Sequence, residues 1–117
     1  MAIERHTFDH VGIPTSEKHD GEIFVAPNRV WLTSPRDHPA NIEWLRWEPD
    51  TQVPAPVRDL PHVAYRVADL DAALVGQELL MQPFEIGSNF ARGAFILLRG
   101  GVVELMHYRN PDECGWF

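Results

Sequence analysis

The strongest constraint in this chain is a pattern that occurs twice. Phe8-Asp9-His10-Val11-Gly12-Ile13 lines up with Leu60-Pro61-His62-Val63-Ala64-Tyr65; both read apolar, any, His, Val, small, apolar. Further on, Asn41-Ile42-Glu43-Trp44-Leu45 lines up with Val102-Val103-Glu104-Leu105-Met106, and each places a single Glu inside an otherwise apolar run. Self-similarity of this kind means that one supersecondary unit is used twice. Glu43 follows His10 by 33 residues and Glu104 follows His62 by 42. The shortfall of nine in the first half is about what a missing helix would remove.

Between the two units lies a run punctuated by Pro49, Pro54, Pro56 and Pro61. Proline lacks a ladder N–H and fixes φ, so residues 49–61 read as an extended connector. Unit one covers about residues 6–48, unit two about 60–109, and residues 110–117 form a tail. In unit two, residues 60–67 mix β-branched and aromatic residues and predict a strand. Asp69 can cap a helix running to about Leu80, with Leu70, Ala73, Leu74, Gln77 and Leu80 at near-helical spacing and Pro83 as its stop. A short strand at 84–86 follows, then strands at 93–99 and 102–108 separated by Gly100-Gly101, a hairpin signal. In unit one, strands are expected at 8–13, 22–26, 29–33 and 41–47. Its polar stretch 14–21 is too short and too charged for a packed helix, and the segment 34–40, with Pro35, Asp37 and Pro39, reads as a turn.

A carboxylate inside an apolar strand is costly unless it is paired, bound to a metal or turned to a wet cavity. That cost arises twice, at matching places. Two imidazoles and two carboxylates make a mixed N/O donor set that suits Zn, Ni, Mn, Fe or Co and leaves positions open for substrate or water. Strand alternation gives Gly12 the face of His10, Leu45 and Trp47 the face of Glu43, and Met106 and Tyr108 the face of Glu104. A cavity with an ion at its floor and Trp47, Met106 and Tyr108 as walls would take a small, partly apolar molecule.

With those residues in view, the chain resembles the vicinal-oxygen-chelate superfamily, which includes glyoxalase I, methylmalonyl-CoA epimerase, extradiol dioxygenases and bleomycin-binding proteins. The resemblance rests on the segments around His10, around His62 and its Asp-Leu-Asp-Ala-Ala-Leu continuation, and around Glu104. It implies an α+β fold in which paired βαβββ modules form an open, cup-shaped mixed sheet, the first module lacking most of its helix. It implies one divalent metal ion held by His10, Glu43, His62 and Glu104, a set most similar to that of glyoxalase I. The activity implied is a metal-dependent, glyoxalase-like lyase or isomerase acting on a small oxygenated molecule through an enediolate-type intermediate, with Glu43 or Glu104 as the catalytic base. Sequestration of a small toxic molecule and iron-dependent dioxygenation are the competing readings. No basic clamp for glutathione is evident.

Plainer roles compete for several residues. His10 and His62 taken singly would each read as structural, and Glu43, close to Arg46 and Glu48, as an edge-strand charge. His38 reads as a loop residue, His107 as facing away from Glu104, and His6 and His19 as surface residues. Arg46, Arg66 and Arg92 read as surface ion pairs before anchors for an anion. Trp31, Trp44 and Trp47 read as core or dimer interface. Asp69, Asp71 and Glu78 read as a cap and a solvated face. Cys114 is the single cysteine. It lies in the tail and cannot form an internal disulfide, which fits a reducing cytoplasm.

Ten Lys and Arg against 17 Asp and Glu leave a net charge of -7, which repels phosphate backbones and argues against nucleic acid. No apolar run is long enough for a membrane span. The bare first unit and its Trp-rich strand predict a homodimer.

Overall fold

The computed structural model describes residues 7–87 and 89–110. Eight strands form a single mixed sheet: β1 (Thr7–Pro14), β2 (Ile23–Val25), β3 (Val30–Leu32), β4 (Ile42–Trp47), β5 (His62–Arg66), β6 (Glu78–Ile86), β7 (Ala91–Leu98) and β8 (Gly101–Tyr108). Two short helices accompany them, α1 (Ala55–Asp59) and α2 (Leu70–Ala73). The sheet order is β2-β3-β4-β1-β5-β8-β7-β6. Each half sends its first strand to the middle of the sheet, crosses to the edge, and returns as a meander whose last strand lies parallel to the first: β4 along β1, β8 along β5. The halves join where β1 and β5 pair antiparallel. The result is a curled, open, cup-shaped α+β sheet with few helices, as the resemblance implied, and one chain supplies all of it.

The helices depart from the sequence reading. Asp69 does cap a helix, accepting from the Ala72 N–H at 3.1 Å, but α2 is a single turn. Gly76, at φ +78°, turns the chain out of it, and Glu78–Leu80 join β6 instead of extending a helix. Pro83 therefore stops nothing. It sits in β6, an edge strand where the register with β7 shifts, and there a missing N–H is tolerated. Strand length more than covers the nine-residue difference between the halves, since β6, β7 and β8 have 9, 8 and 8 residues against 3, 3 and 6 for β2, β3 and β4, and longer connections in the first half offset the excess.

The Pro-rich connector is not fully extended either. Pro54 and Pro56 fall at the start of α1, where the missing N–H has no intrahelical partner to lose and the fixed φ suits a helix. Val57 of α1 is buried against Val53, Phe95 and Val102. The β7–β8 turn is Arg99-Gly100, at φ +49° and +85°, with Leu98 paired to Gly101, which itself begins β8. Positive φ at both turn positions is the two-residue hairpin geometry that matches strand twist. Among the described residues no helix is long and apolar enough to cross a membrane.

Candidate metal centre

The four central strands, β4, β1, β5 and β8, each carry one of the four predicted ligands. Two rows of the sheet hold them, separated by the row through Ile42, Val11, Val63 and Val103. In one row Gly12 is the partner of both Glu43 and His62; in the other, Ala64 is the partner of both His10 and Glu104. Each row thus has a small residue at its middle, and the small residues make room for the imidazoles. A Cβ on Gly12 would fall 2.1 Å from His62 Cε1 and 2.4 Å from its Nε2, so only glycine fits beneath that ring.

All four side chains converge. His10 Nε2 lies 3.4 Å from Glu104 Oε1 and 3.5 Å from Glu43 Oε1; His62 Nε2 lies 3.4 Å from the same Glu104 oxygen and 4.0 Å from Glu43 Oε1. The rings stand edge to face, 5.6 Å between centroids. His10, His62 and Glu104 each offer one donor atom within 4.8 Å of the others, a grouping that could hold a metal ion. Glu43 stands slightly apart from that trio. All four are buried.

The spacing fits an ion better than it fits hydrogen bonds. Ordinary N–H···O bonds measure about 2.7–3.2 Å. Two donors each about 2.1 Å from a common ion at a tetrahedral angle lie about 3.4 Å apart. Neither ring nitrogen of His62 has a hydrogen-bond partner among the described residues, although both are buried. A buried imidazole nitrogen without a hydrogen bond costs stability, and ligating a metal would satisfy the Nε2 that faces Glu104.

Asp9 is the residue that sequence reasoning missed. Regular alternation would put it on the face opposite His10. The register slips between Phe8 and His10, so Asp9 and His10 together oppose Ala64, and this bulge buries both. Asp9 Oδ2 then meets His10 Nδ1 at 2.5 Å. The other carboxylate oxygen accepts from the Tyr108 hydroxyl and from Arg36 Nη2 at 2.7 Å, with Arg66 Nε 3.4 Å away. A carboxylate behind a histidine fixes its tautomer and leaves Nε2 for the metal side. The only sequence hint was a charged residue directly before a strand histidine.

Charge balance shapes the site. Burial opposes ionisation of Asp9, but the bonds from His10 and Tyr108 and the charges of His10 and Arg36 outweigh it and hold the carboxyl at about 2. Burial likewise disfavours Glu104 as an anion, yet both histidines hold it down at about 2. For His10, burial is overcome by the Glu43 charge and by Asp9, Glu104 and Glu43 as acceptors, which push it up to about 12. The carboxylates around the imidazoles thus favour positive charge between them.

Above this floor lies a cavity of about 770 Å³. Glu43, His62 and Glu104 reach it; Ile23, Phe24 and Val25 wall one side, and Phe84, Ile86, Phe90 and Phe95 another. Trp47 lines it, as expected. Met106 and Tyr108 do not: they are buried with Ala64 and Ala91 in a core cluster, and the Tyr108 hydroxyl is engaged by Asp9 and Arg36.

The remaining residues fall where plainer readings put them. Arg46 pairs with Glu22 and Arg92 with Asp71, while Arg66 serves Asp9 and lies over the Tyr108 ring. His107 meets the Val67 carbonyl, His38 accepts from the Ala40 N–H, and His19 stacks on Trp44. His6 and Cys114 lie outside the described residues.

No family model and no curated protein matches the sequence. Solved structures do. A hypothetical protein from Bacillus halodurans C-125 superposes with a TM-score of 0.61 at 15% identity, over 94% of this chain and 99% of that one. Methylmalonyl-CoA epimerase from Mycobacterium tuberculosis superposes with a TM-score of 0.56 at 22% identity, over 87% of each chain. At such identities the likeness is one of fold.

Proposed function

We propose that this chain is a divalent-metal-dependent isomerase or lyase of the vicinal-oxygen-chelate kind, with His10, Glu43, His62 and Glu104 as its metal site. The observation that carries the reading is the convergence of His10, His62 and Glu104 within 3.4 Å contacts at the floor of an apolar cavity. The fold shared with methylmalonyl-CoA epimerase supports it.

A divalent ion bound there would supply Lewis acidity to two neighbouring oxygens of a small substrate. The chain's own residues divide the remaining work. Glu104, at 3.4 Å from both imidazoles, is the fixed ligand. Glu43, at 3.5 and 4.0 Å, is the looser carboxylate, and at the cavity floor it is placed to take and return a proton as general base. Asp9 holds the His10 ring. The aromatic walls exclude water.

The test is a titration of metal-stripped protein with Zn²⁺, Ni²⁺, Mn²⁺ and Co²⁺. One ion per chain is expected, with affinity lost in Glu104→Gln and only reduced in Glu43→Gln. Absence of binding by all four ions would remove the reading. A second reading has one observation in its favour, because two histidines and one carboxylate form the tightest group, a set used by non-haem iron oxygenases. Iron-dependent oxygen uptake would select it.

A further inference from the structure

The bulge of β1 has a support outside its own strand. The extra residue of a bulge is left out of the ladder, so its polar groups need other partners. Asp9 is that residue, and Arg36 serves both its backbone and its side chain. Arg36 Nη1 donates to the Asp9 carbonyl at 3.1 Å, and Nη2 donates to Asp9 Oδ1 at 2.7 Å. The same guanidinium reaches Asn41 Oδ1 at 3.3 Å and the Tyr108 hydroxyl at 3.2 Å. It therefore ties β1 to β8 and to the residue that leads into β4. The base of the side chain is fixed as well. Arg36 sits in a short 3-10 turn, Pro35–Asp37, and the buried Ser34 accepts from its backbone N–H at 3.2 Å. Asn41, at φ +54°, closes the other side, because its carbonyl accepts from the Val11 N–H at 3.0 Å, directly after His10. Arg66 approaches Asp9 Oδ1 only to 3.4 Å, and its Nε makes no hydrogen bond, so it adds charge without direction.

We infer that Arg36 is the positioning residue of this site: its guanidinium fork locks the β1 bulge, and with it the Asp9 carboxylate and the His10 ring, in the pose that presents Nε2 to an ion. A planar fork can hold a carbonyl and a carboxylate at once, which a lysine ammonium does not reproduce. Asp9 Oδ2, on the same carboxylate, meets His10 Nδ1, so a tilt of that carboxylate turns the ring. Polar networks of this kind become rigid when each member is bonded. The grip on Asp9 needs only the chain's own hydrogen bonds; its consequence for an ion rests on the metal reading above.

The experiment uses the full chain, freed of metal, as wild type, Arg36→Lys and Arg36→Met. One readout is the proton resonance of His10 Nδ1–H, which lies far downfield in a short imidazole–carboxylate bond and is assigned by its loss in Asp9→Asn. The other is zinc affinity by calorimetry. Arg36→Met is expected to shift and broaden the resonance and to weaken zinc by about tenfold, and Arg36→Lys, which keeps the charge, to restore no more than part of either. An arginine that served stability alone would lower the melting temperature and leave both readouts untouched. An unchanged resonance in both variants, or zinc affinity within about twofold of wild type in both, overturns the inference. Full recovery in Arg36→Lys overturns it too, since charge and not the fork would then be the cause. Should Arg36→Met not fold, Arg36→Lys decides by the same readouts. Failure of the wild type to bind zinc, with the resonance still dependent on Arg36, removes only the metal reading; zinc binding with an unchanged resonance removes only the role of Arg36.

Discussion

The two halves of the sheet carry matching ligands but hold them by different means. Of the buried hydrophobic residues among those described, only Val30 and Leu45 precede residue 50; the others, from Val53 to Tyr108, belong to the connector and the second half. Buried polar groups lean the other way, with Asp9, His10, Thr33, Ser34 and Glu43 in the first half. The long strands β6–β8 clamp His62 and Glu104 in an apolar wall, where Phe95 meets the His62 ring edge to face at 5.0 Å. The short strands β2–β4 cannot bury as much. There His10 is steered by Asp9, and Asp9 by Arg36 reaching from the 34–40 segment and by Tyr108 from across the sheet. Duplicated topology therefore does not require duplicated energetics. One half relies on packing, which is non-directional, and the other on hydrogen bonds and ion pairs, which are directional and sensitive to pH.

Four substitutions break or sharpen this contrast. Phe95→Ala should cost the most, about 3–5 kcal/mol in denaturant unfolding, because it opens the apolar clamp of the second half. Gly12→Ala strikes the seam between the halves. Its Cβ drives into the His62 ring, so about 1–3 kcal/mol of stability and nearly all metal affinity should be lost, checked by thermal melts and zinc titration. Asp9→Asn tests the polar half: zinc affinity should fall about 10- to 100-fold while the unfolding midpoint moves less than in Phe95→Ala. Should Asp9→Asn bind zinc as wild type does, the polar network does not position His10.

The smallest effect is expected for Arg46→Gln, which removes a partly exposed ion pair at the outer end of the first half. The Arg46 guanidinium hydrogen-bonds Glu22 and holds its carboxyl below the ordinary 4.5. A lowered carboxyl pKa contributes stability above its unfolded value and loses it as pH falls. The melting-temperature penalty of Arg46→Gln should accordingly be present at pH 7 and fade as the pH drops below about 4.5.

Much of this was legible in the sequence because strands announce themselves by alternation and because the His and Glu pair recurs. Seven strands follow from that pattern, of β6 only its 84–86 end does, and the repeat names the four ligand candidates. What stayed hidden depends on contacts distant in sequence. The bulge at Asp9 obeys the antiparallel pairing with β5, which local pattern does not encode. The segment after Asp69 has helical spacing, yet pairing of Leu79 and Met81 with β7 overrides it once Gly76 has ended the turn. Alternation alone puts Tyr108 on the cavity wall, whereas the hydrogen bond from its hydroxyl to Asp9 depends on tertiary distance.

The most direct test of the convergence is X-ray absorption on protein loaded with one equivalent of zinc. Two imidazole nitrogens and one or two carboxylate oxygens at about 2.0–2.2 Å are expected, with one imidazole lost in His62→Ala. A spectrum showing oxygen neighbours alone, unchanged by that substitution, would place the ion elsewhere and contradict the account.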